Sequence, residues 1–149
     1  MPTSGVERLE KLVLDTSAYS HFRFGHTHVL DYLARSDAVF VPVIVIGELE
    51  AAFEQGKRAR ANRVALEDFL QEPFVTILPV TRTVARHYGR VFAALRVAGT
   101  PLPVNDVWIG ATTLDCGGTL LTFDTDFTRI EGLHPIVLRH DPPHHPRRT

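Results

Sequence analysis

The sequence predicts an α/β fold, a three-layer α/β/α sandwich around a central, largely parallel sheet of four to five strands. Three observations predict it. Short apolar runs without polar alternation, such as Leu12-Val13-Leu14, suit strands covered on both faces. Between these runs lie segments with apolar residues at helical spacing, and Pro and Gly punctuate the joins. Parallel neighbours need a crossover, which the intervening helices supply.

Taken in order, the first strand runs from Lys11 to Asp15, and Thr16 or Ser17 is placed to cap a short helix over Ala18 to Phe24 that breaks at Gly25. His28 to Ser36 sets Val29, Tyr32 and Leu33 at helical spacing, and Ala38 to Val41 is a second strand stopped by Pro42. From Val43 to Gln55 a helix carries Val45, Leu49, Ala52 and Phe53 on one face, with Gly56 as its stop. Arg58 to Gln71 is amphipathic, with Val64, Leu66, Phe69 and Leu70 as core candidates, and Phe74 to Leu78 is a third strand bounded by Pro73 and Pro79.

Thr83 to Val97 repeats the helical period through Val84, Tyr88, Val91, Phe92 and Leu95, and Gly99, Pro101 and Pro103 then make a loop. Asn105 and Asp106 are placed to start a helix carrying Val107, Ile109, Ala111 and Leu114, which ends at Gly117-Gly118. Thr119 to Thr122 is a fourth strand, Asp124, Asp126 and Phe127 begin a short loop or helical turn, and His134 to Leu138 is a fifth strand. Residues 139–149 hold Pro, His and Arg with almost nothing apolar and are expected to be mobile, leaving 1–138 as one domain.

Composition narrows the function. A chain of 149 residues suits one domain, and 44% hydrophobic with 22% charged residues is ordinary for a soluble globular protein. No apolar stretch approaches membrane-spanning length, and Met1 to Lys11 lacks the apolar core of a signal peptide. The single cysteine, Cys116, excludes an internal disulfide framework and fits a reducing, cytoplasmic setting. A net charge of −1 gives no global basic field, so nucleic-acid binding requires a local patch.

The chemistry lies in the carboxylates. Asp15 follows the first strand, Glu48 lies on the helix after the second, Asp106 opens a late helix, and Asp124 and Asp126 follow the fourth strand. In a parallel α/β sheet these positions belong to one edge, where sites collect. Taken singly, each has a plain reading as a cap, a turn former or a solvated helical Glu; their coincidence is harder to explain that way. Carboxylates held together cannot all stay ionised unless one takes a proton or a cation neutralises them. Oxygen donors without Cys or His select Mg²⁺ or Mn²⁺, which suits phosphoryl chemistry. Asp15, Asp106 and Asp124 are the direct-ligand candidates, Glu48 binds directly or through water, and Asp126 is a further candidate. Ser17 and Thr122 carry hydroxyls able to orient the carboxylates.

The stretches LVLDTS at 12–17, VIVIGELEAA at 43–52, NDVWIGATTL at 105–114 and LLTFDTDFTRIEGL at 120–133 together resemble a PIN-domain protein, specifically a VapC-type toxin ribonuclease of a toxin–antitoxin pair. The resemblance runs from about Leu12 to Leu138. It implies a PIN-like fold and a Mg²⁺- or Mn²⁺-dependent endoribonuclease, usually a homodimer, held inactive by a cognate antitoxin. Asp15, Glu48, Asp106 and Asp124 fall on the family's acidic positions, Asp126 where it varies, and Ser17 and Thr122 on its accessory hydroxyls. Thr122-Phe123-Asp124 departs from relatives that often carry Arg or Asn there, which leaves the division of labour between Asp124 and Asp126 open.

Two basic groups are candidates for RNA phosphates: Arg82, Arg86 and Arg90, four residues apart on one helix, and Lys57, Arg58, Arg60 and Arg63 at the start of another. The plainer reading of both is a solvated helix face. The helix over Val43 to Gln55 and the one after it form the region where the family's antitoxin usually docks. His21, His26 and His28 flank an early loop near Asp15, where contact with substrate is one reading and a plain surface role the expected one; Trp108 and Cys116 read as core, and His140, His144 and His145 sit on a proline-broken segment that makes a poor metal cage. Two alternatives stand beside the nuclease. One is an aspartyl-phosphate phosphatase with Asp15 as nucleophile, though Ser17 occupies the place where such sites commonly need a second Asp. The other is a noncatalytic module that binds RNA or an antitoxin.

Overall fold

The computed structural model describes residues 7–140. Its chain order is β1 (Leu9–Leu14), α1 (Thr16–Arg23), α2 (Thr27–Ala34), β2 (Ser36–Pro42), α3 (Val43–Gln55), α4 (Ala59–Leu70), β3 (Val75–Leu78), α5 (Arg82–Val97), α6 (Val104–Cys116), β4 (Thr119–Thr122), a 3-10 turn (Thr125–Arg129) and β5 (Ile136–Val137). The strands form one parallel sheet in the order β3-β2-β1-β4-β5. This is the predicted three-layer α/β arrangement. Among the described residues no helix is long and apolar enough to cross a membrane.

The sheet order decides where the site falls. β1 is central, paired with β2 on one side and β4 on the other, and Leu12, Val13 and Leu14 are fully buried. A strand buried on both faces has no use for alternation, which is why this run is uniformly apolar. The chain leaves β1 for a helix on one side of the sheet, and the neighbouring strand order reverses direction there. Such a switch point opens a crevice at the carboxyl ends of β1 and β4.

The predicted elements differ from the observed ones mainly at their ends. β1 begins at Leu9 and β2 at Ser36, each earlier than the apolar run suggests, because the β1–β2 pairing starts at Leu9 and Ser36 and runs through exposed polar residues before reaching the core. α1 is capped by Asp15, in place of Thr16 or Ser17, with the carboxylate accepting from the Ala18 amide at 2.8 Å. The late helix α6 starts from Pro103, so Asp106 lies within its first turn and caps nothing. β5 is only Ile136–Val137.

Helical spacing located the buried faces and over-counted them at their margins. Leu66 and Phe69 of α4 are buried, but Val64 is 55% exposed; on α5 Val84, Val91 and Leu95 are buried while Phe92 faces solvent, and on α3 Ala52 is exposed beside buried Val45, Leu49 and Phe53. Trp108 is half-buried and stacks on Tyr88 at 3.9 Å between ring centroids, joining α6 to α5. Of the predicted mobile tail, 141–149, with His144 and His145, lie outside the described residues, whereas Arg139 and His140 lie against α1 and the residues after it through His26 and His21.

Two adjacent glycines end α6 for different reasons. Gly117 takes φ 69°, the left-handed cap conformation. At Gly118 space is the constraint: a Cβ would sit 2.7 Å from Val13 Cγ2, 3.0 Å from Cys116 Sγ and 3.3 Å from the Lys11 carbonyl oxygen. Because Val13 is fully buried and cannot yield, Gly118→Ala is expected to destabilise the fold by about 1–3 kcal/mol. Urea unfolding checks this; an unchanged midpoint would refute the packing argument.

Candidate active site

Asp15 is the hub. It is 3% exposed, and three donors hold its carboxylate: Ser17 Oγ at 2.7 Å and the Ala18 amide at 2.8 Å on Oδ1, and Thr122 Oγ1 at 2.5 Å on Oδ2. Burial raises its pKa, the Thr122, Ala18 and Ser17 hydrogen bonds pull it back down in that order, and the charge of Asp124 raises it again. A carboxylate offers about four lone-pair sites, so Oδ2 retains one for a further partner. The same bonds restrain Asp15 as a nucleophile, which weighs against the phosphatase alternative.

The two hydroxyls act as matched relays. Ser17 Oγ donates to Asp15 and accepts from the Phe123 amide at 3.0 Å; Thr122 Oγ1 donates to Asp15 and accepts from the Asp124 amide at 3.0 Å. Each thus ties the start of α1 to the chain leaving β4. Asp124 in turn caps the 3-10 turn, its Oδ1 accepting from the Asp126 amide at 2.9 Å.

Asp106 and Glu48 complete the cluster from the helical layers. Asp106 is half-buried, and its pKa is pushed up to about 6, first by burial and then by the charges of Asp124, Glu48, Asp15 and Asp126. Every group acting on it is another carboxylate. The structure therefore brings all five predicted acidic residues into one field, with Asp106 at its focus. Asp126 also pairs with Arg129 at 3.2 Å, which draws part of its charge outward.

Glu48 is held by Thr16, which the sequence suggests only as a helix cap. Thr16 Oγ1 donates to Glu48 Oε1 at 2.7 Å, linking α1 to α3. The signal was available in the run LDTS, where Thr16 opens the helix that Asp15 caps. His21, placed near Asp15 by the sequence but expected at the surface, stacks on Phe123 with ring centroids 3.7 Å apart and lies one helical turn after Ser17; that ring contact has no sequence signal. His26, expected at the surface, is 5% exposed, because the loop after α1 folds it under Phe123 and the Arg139 carbonyl.

The basic candidates fare differently. Arg82, Arg86 and Arg90 are all exposed on α5. Arg63 is engaged within the chain, paired to Glu50 at 2.7 Å and to Glu54, and so fastens α4 to α3.

The donor set suits a hard divalent cation. It is all oxygen, it concentrates negative charge on a half-buried carboxyl, and Asp15 and Glu48 are oriented by hydroxyl donors. Among the described residues, however, no group of three or more His, Cys, Asp or Glu is assembled to hold a metal ion. The three direct ligands expected from sequence, Asp15, Asp106 and Asp124, share a field here without forming a cage. Mg²⁺ usually keeps several waters and takes only one or two carboxylates directly, so its sites do not require a closed protein cage.

Fold and acidic edge define the class, and the comparison with known families agrees: the chain belongs to the PIN-domain family, whose model matches residues 12–133. Within that family its likeness is to VapC-type members. Ribonuclease VapC4 of Mycobacterium tuberculosis (strain ATCC 25618 / H37Rv) is 30% identical over 102 residues, 66% of this chain and 75% of that protein. The structure of VapBC-5, a member of the VapBC family of toxin–antitoxin systems from Mycobacterium tuberculosis, superposes with a TM-score of 0.65 at 27% identity, covering 87% of this chain and 98% of that one. DNA-bound VapBC from Salmonella typhimurium gives a TM-score of 0.77 at 22% identity, covering 87% and 98%.

Proposed function

We propose that the chain is the ribonuclease toxin of a toxin–antitoxin pair, an endoribonuclease that hydrolyses RNA phosphodiester bonds with Mg²⁺ or Mn²⁺ at Asp15, Glu48, Asp106 and Asp124. The observation that carries this reading is the convergence on Asp106 of carboxylates from three other segments, the end of β1, α3 and the chain after β4, which calls for a cation. The names of the relatives supply the substrate class: VapC4 is a ribonuclease.

When bound, the cation supplies Lewis-acid stabilisation of phosphate charge and activates the attacking water. The chain's own residues prepare for it. Asp15 stays fixed through three hydrogen bonds, with one lone-pair direction of Oδ2 left for the cation or one of its waters. Glu48, anchored by Thr16 through Oε1, keeps Oε2 for a water proton. Asp106, its pKa raised to about 6 and its carboxyl largely ionised at pH 7, would offer a charge that a cation offsets, and Asp124 follows the β4 exit, held through its amide by Thr122.

The toxin–antitoxin complexes among its structural neighbours support a cognate antitoxin as partner; a second copy of the chain is proposed beside it on the family resemblance alone. The resemblance places antitoxin docking on α3 and α4; an apolar groove of about 670 Å³ lined by Phe22, Leu30, Leu33, Phe69 and Phe74 shares only α4 with that region and is proposed as a further seat for an antitoxin segment. Arg82, Arg86 and Arg90 remain candidates for the RNA backbone.

The test is cleavage of a mixed RNA pool by purified protein with Mg²⁺, Mn²⁺ or chelator. Cleavage is expected only with metal, and Asp15→Asn is expected to lower it by about 10²-fold or more. Undiminished cleavage by that variant would overturn the site assignment.

A further inference from the structure

Phe123 stands between Thr122 and Asp124, in the two-residue gap between the end of β4 and the 3-10 turn. Neither strand nor helix hydrogen bonds fix that gap. Its amides instead reach Ser17 Oγ and Thr122 Oγ1, and the half-buried Phe123 ring is enclosed by imidazoles. His21 lies face to face with it, with centroids 3.7 Å apart and planes 14° apart; His26 meets it edge-on at 5.0 Å and 82°; His140 is tilted at 5.4 Å.

Each imidazole is anchored in turn. His21 Nδ1 lies 2.8 Å from the Ser17 carbonyl oxygen, which can only accept, so Nδ1 carries the proton and Nε2 faces His140 Nδ1 at 2.9 Å. Buried His26 reaches the Arg139 carbonyl through Nε2 at 3.2 Å. The chain at 139–140 therefore closes over the clamp.

We propose that His21 is a positioning residue of the acidic site: by clamping the Phe123 ring against α1 it fixes the chain leaving β4, and so sets the Asp124 carboxylate relative to Asp106. This rests on the reading of the cluster as a divalent-cation site. One residue of rotation at position 123 carries Asp124 away from its partners, and misplacement of a site group by about an ångström can cost on the order of 10²-fold in rate. Hydrogen bonding at the Phe123 and Asp124 amides holds the backbone along one direction; the stacked ring resists the twist that those bonds permit.

Two variants of the full chain test it, His21→Ala, which removes the stack, and His21→Phe, which keeps a ring. Three readouts apply: hydrogen–deuterium exchange across 122–126, Mn²⁺ affinity by calorimetry without RNA, and kcat with KM for RNA cleavage. His21→Ala is expected to speed exchange at Phe123 and Asp124, to weaken Mn²⁺ binding about tenfold, and to lower kcat about tenfold with KM changed less than about twofold. His21→Phe is expected to restore all three to near the parent values. Unchanged exchange in His21→Ala, or a loss in His21→Phe as large as in His21→Ala, would overturn the clamp. A parent protein that binds no Mn²⁺ would instead refute the cation-site reading, and the exchange data would still decide whether His21 holds the loop.

Discussion

Asp106→Asn is expected to reduce RNA cleavage by about 10²–10³-fold while raising the melting temperature of the cation-free protein. The two effects have one cause. Burial and four neighbouring carboxylates push the Asp106 pKa from 3.8 up to about 6, so the folded chain holds that proton more tightly than the unfolded chain does. Its contribution to stability is full below about 3.8 and is lost as pH rises through about 6. At pH 7 the ionised group works against the fold, and asparagine removes the charge with little change of shape. Asp106 is half exposed, so solvent screening reduces the benefit to on the order of 1 kcal/mol, or about 3 °C in a domain of this size.

Thermal melts at pH 5 and pH 7.5, with and without Mn²⁺, check the sign. Parent protein without cation is expected to be less stable at pH 7.5 than this site alone would allow at pH 5, and Mn²⁺ is expected to recover the difference in a saturable way. Asp106→Asn is expected to show a smaller response to either. A variant that cleaves RNA as fast as the parent, or that melts lower without cation, would sink the argument.

Thr122→Val is the second substitution with a large expected effect. Threonine and valine have nearly the same shape, so packing hardly changes. What is lost is a fully buried hydroxyl that donates to Asp15 Oδ2 and accepts from the Asp124 amide. Leaving a buried carboxylate oxygen and an amide unpaired costs about 3 kcal/mol, or roughly 9 °C in melting temperature. The Thr122 bond is also the strongest influence lowering the Asp15 pKa, so its removal moves that carboxyl further upward and weakens it as an anion for the cation. Cleavage is expected to fall by about 10²-fold. Thr122→Ser keeps the hydroxyl and is expected to recover most of the activity, and urea unfolding with kinetics on both variants separates this from a loss of the methyl group.

The parts of the molecule visible in the sequence are those governed by local rules. LVL before Asp15 marked a central strand because burial on both faces leaves no alternation, and helical spacing found the inward faces of α3 to α6. The acidic positions were legible because strand ends and helix starts of a parallel sheet share an edge. What escaped was contingent on tertiary contact. No local rule says that Thr16 bonds Glu48, or that Asp15 rather than a hydroxyl caps α1. Val64 has helical spacing and still faces solvent, because the period locates a stripe but not its width. His26 reads as a surface residue and His140 as part of a mobile tail; only the return of the chain after β5 encloses the first and brings the second onto Phe123.

The bond between Thr122 and Asp15 spans 107 positions in the sequence, and the Ser17 to Phe123 bond spans 106. Both close across β1 and β4, neighbours in the sheet whose partners come from opposite ends of the chain. Such distant pairing is among the slower steps of folding, because a long loop must be ordered before any contact rewards it. During synthesis the first three strands and all six α-helices precede β4 in the chain. The acidic centre is therefore assembled last, and a nascent or truncated chain lacking the segment beyond position 119 carries Asp15, Glu48 and Asp106 without the fourth carboxylate or the hydroxyl that orders them.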